Sequence, residues 1–113
     1  MTILFADDDP LTLDSLGACA RSEGYETLLA GDGSEALRQW REHRPHLVCL
    51  DIMMPHLDGY EVCRRIRIED DSVPVLFLSA KSEERDVVAG LRLGADDFVR
   101  KPFGKAELLA RLA

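Results

Sequence analysis

The chain alternates short apolar runs with longer amphipathic stretches. The apolar runs are continuous rather than alternating with polar residues, which indicates strands that are covered on both faces of a parallel sheet. The longer stretches repeat their apolar residues at helical spacing and therefore favour helices between the strands. The pattern predicts strands at Thr2–Ala6, Glu26–Ala30, Leu47–Leu50 (ending at Asp51), Val73–Leu78 and Asp97–Arg100.

Helices are predicted after each of these strands. Asp9 and Pro10 are typical of an N-cap and of a first helical position, and Gly24 is expected to stop the first helix. The predicted helices are Pro10–Ser22, Ser34–His43, Tyr60–Ile68, Glu83–Leu93 and Gly104–Leu112. Right-handed crossovers leave few topologies, so we expect an α/β fold, a (βα)5 flavodoxin-like doubly wound parallel sheet with strand order 2-1-3-4-5.

Composition narrows the class of protein. A chain of 113 residues suits one domain with its own core, so we expect residues 1–113 to form a single domain. The net charge of -7 argues against nucleic-acid binding by this domain and suits a protein that concentrates carboxylates around a cation.

Apolar runs fall short of the ~20 residues that span a bilayer, and Asp7–Asp9 interrupt the N-terminal one. We therefore expect a cytoplasmic location without membrane contact.

The three cysteines are Cys19, Cys49 and Cys63. An odd number without CxxC spacing argues against a disulfide framework and against a zinc site. We expect all three to be small buried hydrophobic residues or incidental thiols.

Polar residues follow several of the predicted strands. Asp7–Asp9 follow the first strand, Asp51 the third, Ser79 (with Ala80 after it) the fourth, and Lys101 the fifth. Because a parallel sheet brings these ends to one edge, we expect carboxylates, a hydroxyl and a lysine to converge there. Clustered carboxylates repel one another and require a compensating charge. The ligands are all hard oxygens, too few for a calcium cage, so the pattern predicts Mg²⁺, with Mn²⁺ as an alternative.

Each of these residues also has an ordinary structural interpretation. Aspartates after a strand often serve only as helix N-caps, a serine there is commonly a cap, and Lys-Pro is usually a turn. The functional interpretation depends on their joint occurrence, each at a different strand end and in the right order.

The residues at these strand ends resemble those of the receiver domains of bacterial two-component response regulators. The resemblance covers essentially the whole chain in order, and within that family it points to the OmpR/PhoB subfamily. Members of this subfamily usually carry a C-terminal winged-helix DNA-binding domain, so such an effector domain would be absent from this chain. The matching stretches are Ile3–Asp9, Leu50–Pro55, Asp58-Gly59, Leu78–Lys81 and Gly94–Phe103.

The resemblance implies a phosphoacceptor and a metal site. Asp51 would accept a phosphoryl group from a cognate sensor histidine kinase and would also be a metal ligand. Asp8 would bind Mg²⁺ directly, Asp7 would bind it through water, and the backbone carbonyl of Met53 would complete the protein's share of the metal shell.

The resemblance also implies a phosphoryl-binding group and a switch. The side chains of Ser79 and Lys101 and the amide of Ala80 would contact the phosphoryl oxygens. Movement of Ser79 and Phe98 would then change the face made by the fourth helix, the fifth strand and the fifth helix. Members of the subfamily form homodimers through this face when phosphorylated. Here the face would include Val88, Leu91, Asp97, Glu107, Leu109 and Arg111.

Three alternatives remain open at this point. The chain could be a stand-alone or kinase-fused receiver that acts by protein contact, rather than one that regulates transcription. It could be a Mg²⁺-dependent phosphotransferase or phosphatase, but such enzymes usually carry an aspartate where this chain has Met53. It could be a scaffold, but the chain retains Asp8, Asp51 and Lys101. We therefore expect a phosphoacceptor that assists its own phosphorylation and dephosphorylation, and not an enzyme.

Overall fold

A computed structural model of the protein describes residues 1–79 and 97–100; for Ser79 and for residues 97–100 it describes the backbone alone. The predicted helices Glu83–Leu93 and Gly104–Leu112 lie outside the described residues. The described helices include none that is both long and apolar enough to cross a bilayer. In chain order the elements are β1 (Thr2–Ala6), α1 (Pro10–Ser22), β2 (Glu26–Ala30), α2 (Gly33–His43), β3 (Leu47–Asp51), α3 (Gly59–Glu69), β4 (Val75–Ser79) and β5 (Asp97–Arg100).

The five strands form one parallel sheet in the order β2-β1-β3-β4-β5, which confirms the predicted topology. Both faces of the sheet are covered by apolar side chains. Along β1, Ile3 and Phe5 belong to the core beneath α1, whereas Leu4 and Ala6 belong to the core beneath α2 and α3. All of them are buried. This two-sided burial explains why the strands are continuous apolar runs.

Aspartate side chains begin each of the helices α1, α2 and α3. The capping carboxylates of Asp9, Asp32 and Asp58 accept hydrogen bonds from the backbone N–H groups of Leu11, Glu35 and Glu61 at 3.2, 2.8 and 2.9 Å. Helices α2 and α3 therefore begin at glycines, Gly33 and Gly59, just before the predicted starts. Each cap satisfies a backbone N–H that the helix itself cannot pair.

Strand β4 begins at Val75, so the prediction that it starts at Val73 was wrong. Pro74 has no N–H to donate to a neighbouring strand. Val73 instead belongs to the preceding turn, where its N–H donates to Asp70 Oδ1 at 3.3 Å and its carbonyl accepts from Arg67 Nη1 at 2.6 Å.

The cysteines are free thiols. Cys49 and Cys63 are fully buried, as predicted, whereas Cys19 on α1 is only partly buried. Burial raises the pKa of the Cys49 thiol, so this group is neutral in the folded protein.

Candidate metal and phosphoacceptor site

Three carboxylates meet at the carboxyl edge of the sheet. Asp7 and Asp8 directly follow β1, and Asp51 is the last residue of the neighbouring strand β3. An oxygen of each carboxylate lies within 4.8 Å of an oxygen of the other two. The parallel topology therefore brings together acids that are far apart in the sequence.

The three acids differ in their exposure to solvent. Asp7 and Asp51 are buried, with 1% and 5% of their surfaces exposed, whereas Asp8 is exposed. The N–H of Asp9 donates to Asp7 Oδ1 at 2.9 Å, and the N–H of Asp7 donates to the carbonyl of Ala30 at 3.1 Å. These bonds hold Asp7 in place. The site is thus closed around Asp7 and Asp51 and open to water at Asp8.

The donor set fits a hard divalent cation. The grouped ligand atoms are carboxylate oxygens, without nitrogen or sulfur, which is the chemistry that Mg²⁺ and Mn²⁺ prefer. Two oxygens bound directly to one Mg²⁺ lie at most about 4.2 Å apart, twice the usual bond length. A group of oxygens within 4.8 Å therefore accommodates an ion with small side-chain rotations or with one carboxylate bound through water.

Residues 52–58, which we call the acceptor loop, connect Asp51 to α3. The side chains of Ile52 and Met54 are buried in the core, whereas Met53 between them is 59% exposed. The carbonyl of Ile52 accepts from the N–H groups of Met54 and Gly59 at 3.1 and 3.0 Å. Buried flanks and backbone hydrogen bonds thus hold the loop on both sides of Met53.

Gly59 packs directly against the backbone of Asp51. A Cβ atom at Gly59 would lie 2.3 Å from the carbonyl oxygen of Asp51 and 2.9 Å from the Cα of Ile52. Any side chain there would displace the end of β3. This contact was not predicted from the sequence, where Gly59 was only part of a matching stretch next to the predicted helix Tyr60–Ile68.

Strand β4 brings the backbone of Ser79 to the same edge of the sheet. Asp51 pairs with Leu78, so Ser79 follows directly after the partner of Asp51. Other predicted residues, or their side chains, lie outside the described part of the chain. These are the side chains of Ser79, Asp97 and Phe98, together with Ala80, Val88, Leu91, Lys101, Glu107, Leu109 and Arg111.

Comparison with known families decides what kind of domain this is. The family model described as the response regulator receiver domain matches residues 3–113. The chain belongs to this family. Membership agrees with the parallel sheet and with the acids at its carboxyl edge.

Two kinds of relative, the response regulators MtrA and MprA, belong to the OmpR/PhoB subfamily. The DNA-binding response regulator MtrA of Mycolicibacterium smegmatis is 50% identical over 110 residues, which are 97% of this chain and 48% of that protein. The response regulator MprA of Mycobacterium leprae is 47% identical over 112 residues, 99% of this chain and 49% of that protein. The chain spans about half the length of these relatives.

Solved structures of receivers share the fold. One is a chain of the CheX–CheY–BeF3–Mg²⁺ complex from Borrelia burgdorferi, which matches with a TM-score of 0.95 and 33% sequence identity. The match covers 99% of this chain and 86% of that one. Another is the BeF3-activated N-terminal receiver domain of RstA from Klebsiella pneumoniae, with a TM-score of 0.94 and 30% sequence identity. The match covers 99% of this chain and 95% of that domain.

Proposed function

We propose that Asp51 is the phosphoacceptor of a Mg²⁺-dependent signalling receiver. The observation that carries the proposal is the group of carboxylates from Asp7, Asp8 and Asp51, with Asp51 buried at the end of β3. A carboxylate is a competent nucleophile toward phosphorus, and the product is an acyl phosphate. The presence of BeF3 and Mg²⁺ in the CheX–CheY complex, one chain of which is similar to this one, supports this assignment.

The reaction transfers one phosphoryl group from a phosphohistidine of the cognate sensor kinase. An oxygen of Asp51 forms a bond to phosphorus as the bond between phosphorus and the histidine nitrogen breaks, and the imidazole leaves with the electron pair. The bound cation would neutralise charge on the transferring oxygens. Asp8 would ligate the cation directly, Asp7 through water, and Met53 through its carbonyl. The buried setting of Asp51 excludes most water, which strengthens these electrostatic interactions.

The remaining roles rest on the family and on residues outside the described part of the chain. Ser79, the amide of Ala80 and Lys101 would contact the phosphoryl oxygens. Ser79 and Phe98 would then pass the change to the face that includes Val88, Leu91 and Asp97. The added charge of about -1.5 to -2 at neutral pH is large enough to shift a two-state element by a few kcal/mol.

We propose that the output is control of transcription through a DNA-binding domain elsewhere in the protein. The support is that relatives of about twice this length include regulators named as DNA-binding. On this proposal residues 1–113 are the receiver domain, and DNA is contacted only through the other domain. Phosphorylation would promote a homodimer. Size-exclusion chromatography before and after phosphorylation tests this expectation.

Phosphorylation by a small donor tests the central assignment. The chain is incubated with acetyl phosphate and Mg²⁺, and its intact mass is measured. We expect a single phosphoryl adduct that does not form when excess EDTA is present from the start, and that does not form in Asp51→Asn. Asp58→Asn is the matched control, because it makes the same chemical change at a nearby cap, where asparagine also caps well. An adduct that persists in Asp51→Asn would exclude Asp51 as the acceptor.

A further inference from the structure

Gly33, at the start of α2, packs against the far end of the acceptor loop. A Cβ atom at Gly33 would lie 2.1 Å from the carbonyl oxygen of Leu57, 2.9 Å from its Cβ and 3.0 Å from its carbonyl carbon. Ordinary van der Waals contacts of a Cβ atom begin at 3.4 Å. Only glycine therefore allows α2 to approach the loop this closely.

The acceptor loop is held between the first residues of two helices. At its beginning, Gly59 of α3 packs against Asp51 and Ile52, and at its end Gly33 of α2 packs against Leu57. Between these contacts, the N–H of Leu57 donates to the carbonyl of Pro55 at 2.8 Å. His56 has a φ of 67°, in the left-handed region. The loop is thus a tight turn whose path depends on both helix starts.

We propose that Gly33 is a positioning residue for the metal site, acting through the acceptor loop on the carbonyl of Met53. The inference rests on the proposed function, because it takes the Met53 carbonyl as a ligand. Gly33 itself contacts neither the carboxylates nor the phosphoryl group in this mechanism. It sets how deeply the loop lies against α2.

The size of the expected displacement supports this role. Relieving a contact of 2.1 Å to the 3.0 Å below which Cβ contacts are essentially never seen requires a shift of nearly 1 Å between α2 and the loop. Mg²⁺ demands ligands at about 2.0–2.1 Å in near-ideal octahedral geometry. A misplacement of about 1 Å, caused by a mutation away from the reacting groups, can cost about 100-fold in rate.

The competing explanation is that Gly33 serves packing alone. Leu57 is packed against the same core that contains Leu37 and Trp40 of α2, so a side chain at Gly33 also disturbs that core. A purely structural role would lower stability without changing the metal affinity of the folded protein. The Mg²⁺ affinity of the folded protein therefore distinguishes the two explanations, because lost stability alone also speeds hydrogen exchange.

The experiment compares Gly33→Ala with two controls in the full chain. Gly31→Ala lies in the same connection between β2 and α2, but its Cβ would meet nothing within 4 Å. Leu16→Ala removes a buried side chain on the opposite face of the sheet and lowers stability without touching the loop. For each variant, the dissociation constant of Mg²⁺ is titrated by the amide NMR shift of Asp51. Hydrogen exchange of the Leu57 and Gly59 amides is measured without metal.

We expect Gly33→Ala to raise the Mg²⁺ dissociation constant by about tenfold or more and to speed exchange of both amides. Gly31→Ala and Leu16→Ala should keep the wild-type constant. If Gly33→Ala does not fold, Leu57→Ala removes the side-chain packing that holds the same end of the acceptor loop against the core, and it should give a smaller change in the same direction. Unchanged Mg²⁺ affinity in the folded variant would overturn the inference. Failure of the proposed function would instead appear as absent wild-type phosphorylation or an adduct in Asp51→Asn.

Discussion

The first residue of α3, Gly59, lies so close to Asp51 that a Cβ atom there would be 2.3 Å from the Asp51 carbonyl oxygen. The N–H of Gly59 also donates to the carbonyl of Ile52 at 3.0 Å. The start of α3 and the proposed phosphoacceptor are therefore packed together, and the position of the Asp51 backbone requires that residue 59 has no side chain.

Gly59→Ala should disturb both stability and phosphorylation. Overpacking at a rigid backbone contact typically lowers the free energy of unfolding by about 1–3 kcal/mol. Displacement of Asp51 should slow phosphorylation by acetyl phosphate by about 100-fold. Urea denaturation and intact-mass time courses measure the two effects. Gly31→Ala is the control, because its Cβ would lie in open space. Equal phosphorylation rates in the two variants would contradict the prediction.

Much of the fold could be predicted from local signals. The bounds of β1, α1 and β2 match the predicted ones because each boundary carries a strong marker, such as the Asp9 cap and the fixed backbone of Pro10. The starts of α2 and α3 were missed because glycine is a poor helix former in helix interiors. At a first helical position, next to a capping aspartate, that penalty carries little weight.

The acids of the site could be predicted because strand ends can be located in the sequence and a parallel sheet brings them together. The contacts of Gly33 with Leu57 could not, because they depend on how closely two elements pack. A partial signal was present. Asp-Gly begins both α2 and α3, and in each case the glycine is the residue that another backbone approaches.

Asp8→Asn should change stability in opposite directions with and without Mg²⁺. Two carboxylates about 4 Å apart repel by about 1 kcal/mol when well solvated. Asp8 is exposed but its neighbours Asp7 and Asp51 are buried, so removing its charge should raise the free energy of unfolding in EDTA by at least about that amount. At 100 times its dissociation constant, Mg²⁺ should stabilise the wild type by about 2.7 kcal/mol.

In Asp8→Asn this stabilisation by Mg²⁺ should be largely lost, because a proposed direct ligand has been removed. Thermal and urea unfolding with EDTA and with Mg²⁺ measure both effects. Asp14→Asn on the exposed side of α1 removes the same charge away from the group and should respond to Mg²⁺ like the wild type. A full Mg²⁺ response in Asp8→Asn would exclude it as a ligand.

Protonation of Glu61 should lower the stability of the protein in acid. Hydrogen bonds from Arg64 and then Arg65 hold the pKa of Glu61 at about 2, below its ordinary 4.5. Because the folded pKa is the lower one, this contribution to stability is present above about pH 4.5 and is lost as the pH falls toward 2. Glu61→Gln keeps a residue suited to this position of α3. Its unfolding free energy should fall less steeply between pH 4.5 and 2 than that of the wild type. If the unfolding free energies of the variant and the wild type fell equally with pH over this range, the prediction would be contradicted.

Arg44 ends α2 in a left-handed backbone conformation, with a φ of 47°. Its guanidinium carbon lies 4.0 Å from the centre of the Trp40 ring, and Nη2 lies 3.6 Å from a carboxylate oxygen of Glu69 on α3. The ring contact contributes about 0.5–1 kcal/mol at an exposed site. The exposed ion pair adds little. The left-handed backbone costs a non-glycine residue about 1–2 kcal/mol.

These opposing effects predict an order of stability for two variants at position 44. Arg44→Ala loses the ring contact but keeps the backbone cost, so its free energy of unfolding should fall by about 0.5–1 kcal/mol. Arg44→Gly loses the same contact and removes the cost, and the greater freedom of glycine in the unfolded chain offsets part of this gain, so it should be more stable than Arg44→Ala by about 1 kcal/mol. Trp40 is the only tryptophan, and its fluorescence during urea unfolding reports both variants. If Arg44→Ala were the more stable variant, the backbone at residue 44 would not be strained.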